Sequence, residues 1–163
     1  MKLHVIFNLA GTEYALPVDA VLQMESFAKA THVPGVADYV AGIVTVRGRV
    51  VPVIDLRVRF GLPAAEVTLD TRIVVTESEG RVVALRVDSA REVLKLDVAQ
   101  HQPAPSVVRE RSSGFVYAVH SLGPRLLLLV DLPKILGENS NEQPSHALLA
   151  SAPGEAFRPA LPS

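Results

Sequence analysis

The chain has 163 residues, 48% of them apolar, with 16 Lys plus Arg against 17 Asp plus Glu: enough apolar material for a real core, and too balanced a charge for the broad positive field that collects nucleic acid or anionic lipid. Cysteine is absent, which removes disulfides, thiolate nucleophiles and zinc-cysteine sites together and suits a reducing compartment. The basic start at Lys2 leads into an apolar stretch interrupted by His4 and Asn8, unlike a secretory signal, and the longest purely apolar run, Leu126 to Val130, is far below the roughly 20 residues of a membrane-spanning helix. A soluble, cytoplasmic protein with no nucleic-acid partner and no direct membrane insertion is expected.

In chain order, Val5, Phe7 and Leu9 alternate with less apolar neighbours before Gly11, and Tyr14, Leu16 and Val18 resume after it, the pattern of a β-hairpin. Short aliphatic or β-branched runs follow at Ile43 to Val46, Val50 to Ile54, Ile73 to Val75, Val82 to Val87, Val93 to Leu96, Val116 to Val119 and Leu126 to Val130, separated by glycine-containing turns. That spacing predicts an all-β barrel or sandwich. Arg47 and Arg49 flank Gly48 in a tight hairpin, and Pro52 in the returning strand removes a ladder donor, so an edge strand or a bulge is expected there.

The second half repeats the first. Gly11, Leu16, Val18 and Asp19 recur as Gly80, Leu85, Val87 and Asp88, each 69 positions on, and Gly48 with the strand ending Val53-Ile54-Asp55-Leu56 is echoed by Gly123 and the strand ending Leu129-Val130-Asp131-Leu132. Each half reads as hairpin, strand, linker, second hairpin and a short helix. Asp55 and Asp131 stand at the helix N-caps, Gly61 and Gly137 at the left-handed C-caps. Halves this small should pack together and leave a groove between them. After Gly137 serine, asparagine, alanine, glutamate and four prolines replace the periodic pattern, so 138–163 is expected to be a disordered tail, with at most a short helix around His146 to Ala150.

Chemistry finds few footholds. His4, His32, His101, His120 and His146 are scattered singly, without zincin spacing, so no metal site is expected. There is no nucleophile elbow, phosphate loop or dinucleotide glycine run. Asp19, Asp55, Asp88 and Asp131 occupy equivalent repeat positions beside turns or helix starts, where local hydrogen bonding accounts for them without acid-base catalysis. No enzymatic activity and no cofactor are expected.

The residues do resemble a family. VPG at Val33 to Gly35, Gly42, the Arg47-Gly48 turn, the VPVIDLRVRFG run, EYALPVDAV from Glu13 and GRVVALRVDSAREVLKL from Gly80 are similar to CheW coupling proteins over roughly residues 3–137. The resemblance implies a CheW-like domain over 1–137 made of two SH3-like five-stranded β-barrel subdomains with short helices, interleaved at roughly 15–65 and 70–137 with exchanged end strands. It implies an adaptor between chemoreceptors and the CheA histidine kinase in membrane-associated arrays, or an accessory scaffold of a non-flagellar motility or other chemosensory-like pathway. The implied partners are the regulatory domain of the kinase and the cytoplasmic tip of a receptor. The protein-binding positions it implies are Val21, Gln23, Met24, Arg47, Leu85, Val87 and Val93. One departure stands out: relatives commonly carry a carboxylate at the position of Gln23, able to pair with the turn arginine. Glu25 could replace it only if the strand bends, since two residues along a strand move a side chain roughly 6 to 7 Å.

Overall fold

The computed structural model describes residues 1–137; the expected tail over 138–163, with its short helix, lies outside the described residues. Two hairpin strands, β1 (Lys2–Leu9) and β2 (Thr12–Pro17), are followed by β3 (Val21–Ser26), the pair β4 (Val40–Val46) and β5 (Arg49–Asp55), and helix α1 (Leu56–Arg59). The sequence then runs through β6 (Arg72–Ser78), β7 (Arg81–Val87), β8 (Ser89–Leu96), the two-residue β9 (Gln102–Pro103), α2 (Ser106–Arg111), β10 (Val116–Leu122), β11 (Arg125–Val130) and α3 (Leu132–Ile135). Val18 does not extend β2. It opens a 3-10 turn, Val18–Ala20, directly after Pro17, whose ring fixes φ at −59° and supplies no amide to carry the ladder on.

A five-stranded sheet has the order β3-β6-β7-β5-β4, and a six-stranded sheet the order β8-β1-β2-β11-β10-β9. In terms of the repeat, each sheet takes the first hairpin of one half and the later strands of the other. The halves meet along the antiparallel pairs β1–β8 and β3–β6 and the parallel pairs β7–β5 and β2–β11. Parallel neighbours need a long crossover, and reciprocal exchange of hairpins provides one for each sheet. The result is an all-β chain of two SH3-like subdomains with short helices. Pro52 is not on an edge strand, because β5 lies between β7 and β4. It is tolerated because its register partner Ile43 turns both its N–H and its C=O to Thr31, and pairing of β5 with β7 begins only at Val53, one residue further on.

The central strands β1, β5, β6 and β7 carry runs buried on both faces, which is why they read as nearly continuous apolar stretches. Ile6, Ala15, Leu96, Ala118, Leu127 and Leu129 fill the inside of the six-stranded sheet; Val46, Val51, Val53, Ile73, Val75 and Ala84 do the same for the five-stranded one. The alternate residues Phe7, Leu9, Leu16, Ile54, Val74, Leu85, Val87 and Val130 face across to form the largest cluster, between the sheets. A ladder of rings runs through it: Phe7 on Tyr14 at 5.5 Å, Tyr14 on Phe60 at 5.5 Å and Phe60 on Phe115 at 5.4 Å. The groove expected between the halves is therefore mostly core. What stays open is an apolar cavity of about 260 Å³ lined by Tyr14, Phe60, Leu62, Val107, Val108 and Leu128.

The repeated aspartates divide into two kinds. Asp55 accepts from the Arg57 amide at 3.0 Å and Asp131 from the Lys134 amide at 3.2 Å, both N-caps. Asp19 pairs with Lys2 at 3.1 Å on the surface. Asp88 is not explained locally: it accepts from Arg57 Nε at 2.9 Å, from Arg57 Nη2 at 2.7 Å and from the Ala10 amide at 2.8 Å, fastening the β1–β2 turn to α1. Chiefly the hydrogen bonds from Arg57 hold the Asp88 carboxyl below the usual carboxylate range. A depressed carboxyl stabilises the fold above its unfolded value of about 4, and that contribution fades as pH falls through the lower folded value. Asp88→Asn is expected to cost about 1–3 kcal/mol at neutral pH and to flatten the acid limb of a stability-pH profile; urea titrations at stepped pH read both.

Candidate surface around the Arg47 turn

β4 and β5 join through Arg47 and Gly48, with φ of 51° and 81°. A two-residue turn with positive φ at both positions is type I′, the turn whose twist matches the flanking strands, and glycine takes its place there freely. Arginine does not. A non-glycine residue held in the left-handed region costs of order 1 kcal/mol; Ala10 and Glu79 occupy the same place in their hairpins, with φ of 52° each, and here the position carries a guanidinium whose side chain is 76% exposed.

The neighbouring strand β3 supplies the complement. Its side chains alternate, with Val21, Gln23 and Glu25 half-buried and Leu22, Met24 and Ser26 exposed. Pairing of β3 with β6 slips between Val21 and Gln23, a bulge that re-aims the residues after it. Glu25 Oε2 lies 3.7 Å from Arg47 Nε, and the Gln23 amide donates to that same oxygen. Glu25 thus supplies the carboxylate that faces Arg47, with Gln23 steadying it. An exposed pair at this distance contributes about 0–1 kcal/mol to folding; its effect is to present a fixed, paired charge pattern at the surface.

Between these two strands the sheet is open. β3 and β4 are its end strands, and a cavity of about 390 Å³ separates them, lined by Glu25, Phe27, Lys29, Ile43, Thr45 and Arg47 among others. Segment 27–31 crosses its far end, where Thr31 and Ile43 exchange backbone hydrogen bonds at 2.9 Å in both directions.

The expected binding positions do not form one patch. Arg47 and Gln23 meet through Glu25, whereas Met24, 39% exposed, points from the opposite face of β3 beside Leu22, 48% exposed. Val21 packs against the central cluster. Val93 is 47% exposed on β8, across from Val5 in the other sheet. Leu85 and Val87, at 0% and 1% exposure, lie inside the core; they sit on the face of β7 turned toward the other sheet and offer a partner no surface in this conformation. Sequence reasoning passed over Leu22, although strict alternation along β3 puts it on the same face as Met24.

Among the described residues no group of His, Cys, Asp or Glu is arranged to hold a metal ion, and no helix is long and apolar enough to cross a membrane. The histidines are nevertheless not scattered: His4, His101 and His120 converge at one end of the six-stranded sheet.

Comparison with known proteins points one way. Residues 4–140 match the family described as CheW-like domain. The chain is 34% identical to Chemotaxis protein CheW of Bacillus subtilis over 85% of its own length and 88% of that protein's. To Chemotaxis protein CheW of Klebsiella aerogenes it is 32% identical, over 81% and 80%. Among solved structures it is similar to the scaffolding protein TtCheW from Thermoanaerobacter tengcongensis, with a TM-score of 0.78 and 29% identity, covering 86% of this chain and 96% of that one.

Proposed function

The chain belongs to the CheW-like family, and from that premise we propose that it is a non-enzymatic adaptor coupling methyl-accepting chemoreceptors to a CheA-type histidine kinase in chemosensory arrays. The observation that carries this reading is the family match over residues 4–140, nearly the whole described fold. It is supported by the relative named as a scaffolding protein. The adaptor works in the cytoplasm at membrane-associated arrays and needs no cofactor.

The mechanism is positional. One partner is the regulatory domain of the kinase, the other the cytoplasmic tip of a receptor. Val21, Gln23, Met24, Arg47 and Val93 belong to the docking surfaces, while Leu85 and Val87 contribute as part of the core cluster against which Val21 packs. Exposed Met24 and Leu22 supply apolar area suited to the side chains of a receptor helix, while Arg47 with Glu25 sets register by charge. Each contact is modest in area, so ring-like assembly multiplies weak binding through effective concentration.

The test is capture of the purified chain by an immobilised kinase regulatory domain and, separately, by a receptor-tip fragment. The wild-type chain is expected to bind both. Arg47→Glu is expected to weaken capture by one of them about tenfold or more while the thermal midpoint moves by less than about 2 °C, since an exposed turn arginine buries little. Capture of neither partner by the wild-type chain would overturn the adaptor assignment; undiminished capture of both by Arg47→Glu would remove Arg47 from it.

A further inference from the structure

Three histidines far apart in sequence meet inside one end of the six-stranded sheet. His4 on β1 and His120 on β10 are 1% and 3% exposed. They lie two residues from Ile6 and Ala118 on the same inward faces that line this sheet's own core. His101, from the segment between β8 and β9, inserts between them: its ring is 5.7 Å from His4 and 5.0 Å from His120, edge to face with both.

That segment, 97–104, closes the open side of the sheet; Ala104 at its end is buried in the central cluster and accepts from Arg109 Nε and Nη2 at 3.2 and 3.1 Å, while the stretch before it is held more lightly. Asp97 accepts from the Ala99 amide, β9 gives β10 two residues of pairing at Ala118 and Val119, and the Ala104 amide donates to Tyr117 O at 3.1 Å. His101 is its inward anchor. The cluster is not satisfied as an ordinary core polar group would be: His4 donates from Nδ1 to Lys2 O at 3.0 Å, but His101 Nε2 and His120 Nδ1 are buried with no hydrogen-bond partner among the described residues.

The charged groups that act on the cluster are few. Lys2 on β1 and Asp19 on the 3-10 turn bear on His4, and Asp97 bears on His101. Lys2 and Asp19 are paired with each other, and Asp97 is engaged by a backbone amide. Among the described residues no carboxylate is hydrogen-bonded to any of the three rings, so a proton taken up here meets neighbouring imidazoles and no buried counter-ion.

We propose that His4 and His101, packed with His120, form a proton-operated latch: as neutral rings these two hold segment 97–104 against β10, and their protonation releases the segment and bares the outer edge of β10. Burial first pushes both the His4 and the His101 imidazole below the ordinary range, with the Lys2 charge and then the His120 ring adding to it at His4, and the His120 and His4 rings at His101. The sign follows. A histidine kept neutral by the fold stabilises it above its unfolded value of about 6.5, and that contribution is lost as pH falls below it. The latch is shut near neutrality and loosens in mild acid, the range in which histidine alone among unperturbed side chains changes charge. This inference is independent of the adaptor reading.

The test is amide hydrogen exchange of the full chain, in buffer with EDTA and corrected for the intrinsic pH dependence of exchange. Between about pH 7.5 and about pH 5.5, protection of the Ala104 amide is expected to fall by roughly fivefold to tenfold, since two depressed histidines take up protons across that range. Protection of Leu85, in the five-stranded sheet, is expected to stay high. His101→Leu fills the same space without a titrating ring and should abolish the pH-linked loss at Ala104. His4→Phe provides a second route should that variant fold poorly and is expected to reduce the loss. Ala104 protection independent of pH in the wild-type chain, or an unaltered dependence in a folded His101→Leu or His4→Phe variant, would overturn the latch.

Discussion

Replacing Gly42 with alanine is expected to lower the thermal midpoint by roughly 10 °C, the equivalent of about 3–4 kcal/mol for a chain of this size. A Cβ at this position would stand 2.1 Å from the backbone oxygen of Thr31, 2.8 Å from its carbonyl carbon and 3.1 Å from Ala30 Cβ. The obstruction is backbone, so no rotamer change relieves it. Gly42 also has φ of 143° beside a register slip between β4 and β5, a conformation that side chains rarely adopt. To admit a methyl group, segment 27–31 must withdraw from β4, breaking both Thr31–Ile43 hydrogen bonds and opening the far end of the cavity beside Glu25 and Arg47. Gly42→Ala should accordingly lose partner capture as well as stability, although it touches no docking side chain. Calorimetry decides the first point; a midpoint within about 2 °C of the wild-type value would mean that segment 27–31 yields without cost.

The second large effect is at Arg59, a charged residue only 8% exposed. Its Nε donates to Ile135 O at 2.8 Å and its Nη2 to Lys134 O at 3.3 Å, so it satisfies carbonyls at the end of α3 from a position on α1. Its guanidinium lies 4.0 Å from the centre of the Tyr39 ring and 4.8 Å from that of Phe115. One side chain thus ties together the equivalent helices of the two sequence halves. Arg59→Ala removes those bonds, leaves carbonyls buried and opens a void, and is expected to cost about 3–5 kcal/mol. Arg59→Lys keeps the charge but not the planar fork, so it should recover less than half of that loss. Urea unfolding of the three proteins measures both; a lysine variant as stable as the wild-type chain would show that charge alone, and not the directed donors, holds α1 to α3.

Much of this was legible before any coordinates. Gly11, Gly48 and Gly80 marked hairpins, the Asp55–Gly61 and Asp131–Gly137 frames marked helices, and the offset between Gly11 and Gly80 marked the repeat, because turns, caps and hairpins are fixed by residues within a few positions of one another. Family membership was legible too, in the VPVIDLRVRFG run and the Arg47-Gly48 turn. The binding surface was less so: Met24, Leu85 and Val87 are equally apolar on the page, yet Met24 is exposed while the other two are core.

By itself the sequence determined where strands begin and turn, that one half copies the other, and that no enzymatic motif is spelled out. Only the tertiary structure decided that the halves exchange hairpins, that Glu25 faces Arg47, that Arg59 points inward and Asp88 reaches Arg57, and that three lone histidines pack ring against ring. The physical reason is separation along the chain. Period-two patterning says which residues share a face but not what covers it, and a strand covered on both faces loses even that alternation; contacts such as Arg59 with Ile135 or His4 with His101 exist only once the sheets have closed.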